Sequence, residues 1–334
     1  MTYNITLIRG DGIGPEVIDS AKEVIEATGV PVEWDIVEAG NIAMQEHGNP
    51  LPASVIDSIR DNKVAFKGPI TTPVGKGFRS ANVRLRQELD LFANIRPIKS
   101  FKGVDSLHQD VDFVIIRENT EDLYAGIEHM VGEDAAESIK IITRKASERI
   151  CKFAFELARA QCRRKLTLVH KANIMKLSDG LFLECGKKYA KLYDDILFED
   201  VIVDAMSMKL VQFPQDYDII VAPNLYGDIL SDLSAGLIGG LGLAAGANVG
   251  HDMAVFEPIH GSALDIAGKG IANPTSAILS GIMMLRHIGE SGPAERMEQA
   301  LDKVFENKDN RTPDLGGNLR TEEFTQKVID KMIG

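Results

Sequence analysis

Asp228 and Asp232, in "YGDILSDL", stand four residues apart. On a helix that spacing stacks both carboxylates on one face about 6 Å apart, a repulsion that costs stability unless a cation sits between them. A hard divalent ion with oxygen ligands removes it; two solvated acids near a helix start, where the dipole favours negative charge, are the alternative. A second group is basic: Arg86 in "SANVRLRQELDL", Arg96 in "NIRP" and Arg117 closing the apolar run "FVII". Arg117 falls at the C-terminal edge of a strand, where open α/β sheets gather ligands. Guanidinium forks match carboxylates bidentately, so three converging arginines would suit a di- or tricarboxylic acid. Scattered surface ion pairs satisfy the same spacing. Lys171, in "VHKANIMK", also ends a strand; beside a metal it could exchange protons, and alone it would simply be solvated. Tyr124, in "ENTEDLYAG", is a proton donor or a packed ring. His170 and His260 have no ligand spacing to another histidine and read as hydrogen-bonded structural residues.

These side chains need a scaffold, and the pattern is that of an α/β fold. The strand-like run Asn4 to Arg9 enters "GDGIGPE", and Val17, Ile18, Ala21, Val24 and Ile25 follow at helical period, from Pro15 to a stop at Gly29. Gly10, Gly12 and Gly14 miss the G-x-G-x-x-G spacing of a Rossmann phosphate loop, so this turn reads as a plain strand-turn-helix corner, with a ligand loop as the alternative. Strands are expected at "VEWDIVEA", "VAFKGPI", "FVIIRE", "KLTLVHK", "VIVDAM" and "YDIIVAPN", with helical segments between some of them and three more near the C-terminus. Residues 71 to 80, "TTPVGKGFRS", and 239 to 250, "GGLGLAAGANVG", read as loops, the second as a crossing between domains.

Composition narrows the partners. Among 334 residues, 49 Asp plus Glu against 37 Lys plus Arg leave a formal charge of -12. Such a surface repels phosphate backbones and anionic lipid, which argues against nucleic acid or membrane partners. An anionic substrate would need a local island of arginines. Cys151, Cys162 and Cys185 form no C-x-x-C pair and read as reduced thiols, and "MTYNITLI" reads as a strand rather than a targeting segment, so a cytoplasmic protein is expected.

Six stretches, "GDGIGPE", "TTPVGKGFRSANVRLRQELDLFANIRP", "RENTEDLYAGIEH", "HKANIMK", "NLYGDILSDL" and "HGSALDIAGKGIANP", occur in the order and spacing of the β-decarboxylating dehydrogenases. The chain resembles this isocitrate/isopropylmalate dehydrogenase family over nearly its whole length, and within it the NAD-dependent isocitrate dehydrogenases. The resemblance implies two α/β domains sharing a continuous mixed β-sheet. A large cofactor-binding domain would comprise 1–96 and 240–334, and a small domain 97–239 would carry the dimer interface. It implies oxidative decarboxylation of isocitrate, with Arg86, Arg96 and Arg117 holding carboxylates and Ser80 and Asn82 reading the terminal one. Mg²⁺ or Mn²⁺ would be bound by Asp228, Asp232 and Asp204 of the partner subunit in a homodimer with shared active sites. Tyr124, Lys171 and Asp204 would be catalytic. NAD would lie against Ile13, Thr72, His260, Gly261, Ser262, Ala263, Asp265, Ile266 and Asn273, with Asp265 accepting the ribose hydroxyls. NADP-using relatives have lysine and tyrosine where this chain has Asp265 and Ile266. Homoisocitrate, 3-isopropylmalate and a non-catalytic regulatory subunit are the alternatives the family offers; the last conflicts with the presence of every catalytic group.

Overall fold

The computed structural model describes residues 2–71 and 80–334. Among them the strands are β1 (Tyr3–Ile8), β2 (Val32–Ile36), β3 (Val64–Lys67), β4 (Ala93–Lys99), β5 (Asp112–Glu118), β6 (Glu128–Val131), β7 (Ala135–Ser138), β8 (Lys165–His170), β9 (Leu197–Ile202), β10 (Ile219–Ala222), β11 (Ala245–Val249) and β12 (Ala254–Pro258). The helices are α1 (Gly14–Ala27), α2 (Asn41–His47), α3 (Ala53–Asn62), α4 (Ala81–Glu88), α5 (Arg144–Ala160), α6 (Ser178–Ala190), α7 (Val203–Gln212), α8 (Asn224–Leu237), α9 (Thr275–His287), α10 (Ser291–Phe305) and α11 (Thr321–Ile333).

Ten strands form one sheet in the order β2-β1-β3-β12-β11-β4-β5-β10-β8-β9, and β6 pairs with β7 in a separate hairpin. The pairings β2-β1-β3-β12 and β5-β10-β8-β9 are parallel. Between them β12-β11, β11-β4 and β4-β5 are antiparallel. The expected continuous mixed sheet is therefore present. The two parallel blocks run in opposite senses, so the strand ends of one block meet loops of the other around the central strands.

Helices cover both faces. Leu7, Phe66 and Phe256 point into a core with Val17, Ile18, Val24 and Ile25 of α1 and Ile278 and Ile282 of α9. Alternating along the same strands, Ile8, Ala65 and Val255 pack with Val55, Ile56 and Ile59 of α3 and Ala81 and Leu85 of α4 on the other face. Each fully buried aliphatic side chain contributes about 1.5–3 kcal/mol relative to exposure. No helix among the described residues is long and apolar enough to cross a membrane.

Two expected elements change. "VIVDAM" is not one strand: β9 ends at Ile202, which has extended backbone, and α7 starts at Val203. Met206 and Leu210, four apart and buried, give α7 its helical face. Asp204 consequently sits in a helix's first turn, where the dipole favours a carboxylate. Residues 239–250 are not a loop throughout, since β11 lies within them at the centre of the sheet. Its small residues reflect close packing: a Cβ on Gly246 would stand 3.1 Å from the Glu257 carbonyl oxygen.

Candidate active site

Residues paired across neighbouring strands face the same way. Ala65 pairs with Val255, Val255 with Asn248, Asn248 with Asn94, and Asn94 with Arg117. Two positions along from these lie Lys67, Glu257 and Arg96, so the sheet carries a polar row, Lys67-Glu257-Asn248-Asn94-Arg96-Arg117, on one face of its five central strands. A buried row of this kind survives only if its members satisfy one another. Glu257 accepts from Lys67 at 2.5 Å, Arg86 at 3.1 Å and Asn248 at 2.7 Å. The Asn248 oxygen accepts from Asn94 at 2.9 Å and Asn119 at 3.0 Å, and the Asn94 oxygen accepts from Arg96 Nε at 2.7 Å.

Burial alone would raise the Glu257 carboxyl, but Lys67 and then Arg86 outweigh it and hold it well below the ordinary glutamate range. Its stabilisation is therefore complete above the unfolded pKa of about 4.3 and is lost as pH falls through the lower folded value. Glu257→Gln should lower the unfolding free energy at pH 7 by about 3 kcal/mol, as expected for a buried pair deprived of one partner. In urea denaturation series, the gap to wild type should narrow as the pH drops below about 4. A gap independent of pH would remove the charge from the explanation.

Opposite the row stands α8. Gly227 lets it approach, since a Cβ there would meet Arg117 Cβ at 2.6 Å. Asp228 pairs with Arg117 Nη1 and, at 3.6 Å, with Arg96; Asp232 reaches Arg96 at 3.3 Å. Arg96 also donates to Ser231 Oγ at 2.5 Å, and Arg117 Nε donates to Asn224 at 2.8 Å. Tyr124 donates to Asp228 Oδ2 at 2.5 Å, its ring 4.9 Å from the Arg117 guanidinium carbon. Burial, with Arg86 and Arg96 nearby, pushes Arg117 down to about 10. Burial and then the bond to Asp228 raise Tyr124, so its phenol stays protonated. For Asp228 burial acts upward, yet Arg117, Tyr124 and Arg96 together bring it down, whereas burial prevails at Asp232 and raises it.

The structure thus brings Arg86, Arg96, Arg117, Tyr124, Asp228 and Asp232 together; they are not scattered ion pairs. Asn82 and Arg86, one turn apart on α4, line a cavity of about 150 Å³ with Asn94, Arg96, Glu257 and His260. Ser80 immediately precedes α4, its carbonyl accepting Arg84 N–H at 2.9 Å. Arg117 Nη2 and Asn82 Oδ1 are buried without a hydrogen-bond partner, as donors and acceptors awaiting a polar ligand would be.

Lys171 is elsewhere: it follows β8 and pairs with Asp204 in the first turn of α7. That hydrogen bond holds Asp204 below the usual aspartate range. Neither residue has a hydrogen bond or ion pair with the arginine cluster. Among the described residues no three histidine, cysteine or acidic side chains are arranged to hold a metal.

The "GDGIGPE" turn follows β1 and ties loops together. Asp11 accepts Asn41 N–H at 2.8 Å and Thr71 N–H at 2.7 Å, and Glu16 accepts Ala272 N–H at 2.9 Å and the Thr321 hydroxyl. Ile13 N–H donates to the Ser262 carbonyl at 2.9 Å. Gly12 has φ +62°, and any Cβ would run into Ser262. Gly261, Ser262 and Ala263 continue from His260, whose Nε2 is buried without a partner and whose burial disfavours the charged ring. Asp265 is exposed and Ile266 half-buried. Asn273 donates to Asp314 at 3.0 Å. Thr72 lies outside the described residues. His170 has the expected structural role: its Nδ1 accepts Ala172 N–H at 3.0 Å and its Nε2 faces Asp200 at 3.1 Å. Lys67, Glu257, Asn248 and Asp314 escaped the sequence reading; a charge inside each of the apolar strands "VAFK" and "AVFEP" was the signal for the first two.

A family described as isocitrate/isopropylmalate dehydrogenase matches residues 4–330. A probable NAD isocitrate dehydrogenase subunit alpha, mitochondrial, of Drosophila melanogaster is 46% identical over 331 residues, 99% of this chain and 88% of that protein. A 3-isopropylmalate dehydrogenase of Archaeoglobus fulgidus is 47% identical over 324 residues, 97% of this chain and 98% of that protein. The crystal structure of isocitrate dehydrogenase from Methylococcus capsulatus superposes with a TM-score of 0.97 at 56% identity, covering 99% of this chain and 100% of that one. With the match running through both parallel blocks of the sheet and every element that builds the arginine cluster, the chain belongs to the isocitrate/isopropylmalate dehydrogenase family.

Proposed function

We propose that the chain oxidises isocitrate with NAD and decarboxylates the resulting β-keto acid to 2-oxoglutarate and carbon dioxide. The observation that carries this reading is the cluster of Lys67, Arg86, Arg96 and Arg117 around Glu257, Asp228 and Asp232, four cations to three carboxylates, because buried cationic groups in excess over their carboxylates suit a polyanionic acid. An isopropylmalate enzyme matches almost as well as the fly isocitrate enzyme, while the isocitrate dehydrogenase structure, at 56% identity, matches better than either. Asn82 bears on the choice of acid: its side-chain amide nitrogen, beside Arg86 and Arg96, can donate to the extra carboxylate of isocitrate. An isopropyl group would leave it unpaired at a cost of about 1–3 kcal/mol. Ser80 is read as its companion.

Asp228 and Asp232 offer hard oxygen donors from one helix face and fit Mg²⁺ or Mn²⁺, with Asp204 of the partner subunit completing the set. When bound, the cation would supply Lewis-acid stabilisation of charge on the substrate oxygen, and NAD would supply the hydride acceptor. The chain's own residues do the rest. Arg86, Arg96 and Arg117 hold the carboxylates and orient C2. The 2-hydroxyl proton leaves through Lys171, which passes its own proton to the Asp204 carboxylate as it takes the new one, and Tyr124 returns a proton to C3 after carbon dioxide has left. NAD is placed along residues 260–274, near Ile13, Thr72 and Asn273.

A site shared with a second copy of the chain would account for the separation of Lys171 from Tyr124. Met208 and Val211 follow Asp204 at helical spacing on α7 and are exposed apolar side chains, as are Phe213 just after α7 and Ile229 on α8, a surface suited to a homodimer. The fly relative carries a subunit name, so a mixed assembly is the competing arrangement, and sedimentation of the purified chain separates the two. Free Cys151, Cys162 and Cys185 fit a reducing compartment, which both the expected cytoplasm and the mitochondrion of the fly protein's name are.

Initial rates of NADH formation with isocitrate, homoisocitrate and 3-isopropylmalate test the reading. Isocitrate should give the highest kcat/KM; preference for either other acid would reassign the substrate, and no turnover would point to a regulatory subunit. Asp265→Lys with Ile266→Tyr should move the NAD:NADP preference about 30-fold or more toward NADP, the equivalent of about 2 kcal/mol. An unchanged ratio of the two kcat/KM values would place the selector elsewhere.

A further inference from the structure

Between the two halves of the site lies a buried ion triad. Lys140 Nζ stands 2.6 Å from Asp179 Oδ1 and 3.8 Å from Asp122 Oδ1, with both aspartates almost fully buried. Each aspartate spends its other oxygen on the backbone of a segment that carries site residues. Asp179 Oδ2 accepts Lys171 N–H at 2.6 Å, and Asp122 Oδ2 accepts Leu225 N–H at 2.9 Å in the first turn of α8. Lys140 also lies 4.3 Å from the ring centre of Tyr226, on α8 as well.

Asp122 is strained. Its φ of +73° and ψ of -150° belong to a region that L side chains avoid, and the turn it opens carries Tyr124. Such a conformation persists only where the surroundings over-determine it. Here residues 140 and 141 do so from both sides: Ile141 accepts the Asp122 N–H at 2.8 Å, and Lys140 neutralises the side chain.

We infer that Lys140 is a positioning residue for the reaction, holding the Tyr124 turn, the start of α8 and the Lys171 amide on one buried ammonium without touching substrate. The role assigned to Tyr124 and Lys171 rests on the proposed function, while the mechanical part does not. Without the ammonium, two carboxylates face each other with no cation, and the hydrogen bonds to Lys171 and Leu225 loosen.

Lys140→Met and Lys140→Arg are compared with wild type in steady-state kinetics and in amide hydrogen exchange of the ligand-free chain. Lys140→Met should lose about 30-fold in kcat with KM for isocitrate within about threefold, and Lys140→Arg should recover most of the loss. Segments containing the Lys171 and Leu225 amides should exchange about tenfold faster in Lys140→Met, with β1 to β3 unchanged. A raised KM at unchanged kcat would make Lys140 a substrate contact, and faster exchange throughout would make it a general packing residue; either overturns the inference. If Lys140→Met does not fold, Lys140→Gln decides: kcat lowered with faster local exchange supports positioning, and wild-type values of both refute it. A wild-type chain inactive on isocitrate defeats the proposed function alone, and local exchange then decides the positioning.

Discussion

Tyr124→Phe should lower kcat for isocitrate by about 100- to 10,000-fold, the range for removing a positioned general acid. KM should stay within about threefold, because KM follows groups that bind ground state and transition state alike. The geometry supports this division. Phenylalanine keeps a ring over the Arg117 guanidinium, so the arginine that would hold a carboxylate loses little. Only the hydroxyl disappears, together with its 2.5 Å bond to Asp228. Burial and that bond raise the phenol's pKa, so it is protonated throughout the physiological range and acts as a donor, not a base. A raised pKa makes a weak acid, but the acceptor is the enolate carbon left by decarboxylation, basic enough for the transfer to run downhill. Reduction of added oxalosuccinate by NADH does not use this proton and should survive in the variant. Equal loss of both reactions would refute the assignment and leave Tyr124 as a packing and orienting group.

The parts of this site that were legible in the sequence are those whose neighbours are local. Asp228 and Asp232 declare their shared face through helical spacing alone, and Arg117 declares its position by closing an apolar strand. Their meeting depends on register between β4, β5 and α8, which no local pattern carries. The polar row is less visible still. It runs through β11, whose buried Ala245, Gly246 and Ala247 have the composition of a loop because the sheet centre admits only small side chains there. Asp204 reads as part of a strand in the sequence because "VIV" suits both the end of β9 and the start of α7; buried Met206 and Leu210 decide for the helix. In "GDGIGPE" the glycines were conspicuous, yet the acids on either side, Asp11 and Glu16, make the structural ties. Their partners lie up to 305 residues away in sequence.

Lys171→Met should reduce kcat by at least about 1,000-fold, since it removes the group that passes the hydroxyl proton on to Asp204 while every arginine keeps its partners. The placement of Lys171 makes a sharper expectation possible. In this chain its ammonium meets Asp204, and neither side chain has a hydrogen bond or ion pair with Tyr124, Arg96, Arg117 or Asp228. If each active site takes Lys171 and Asp204 from one copy and Tyr124 and Asp228 from the other, two inactive variants can repair each other. A dimer of one Tyr124→Phe chain and one Lys171→Met chain would contain one site with both defects and one with neither. Random exchange makes half of the dimers mixed, so about a quarter of wild-type activity should return. Refolding the two variants together from denaturant and assaying NADH formation measures it, with each variant refolded alone as the baseline. Recovery near a quarter requires a site built across two copies. No recovery from variants shown to form mixed dimers would place Lys171 and Tyr124 in one chain's site, and the gap between them would then have to close within a single chain.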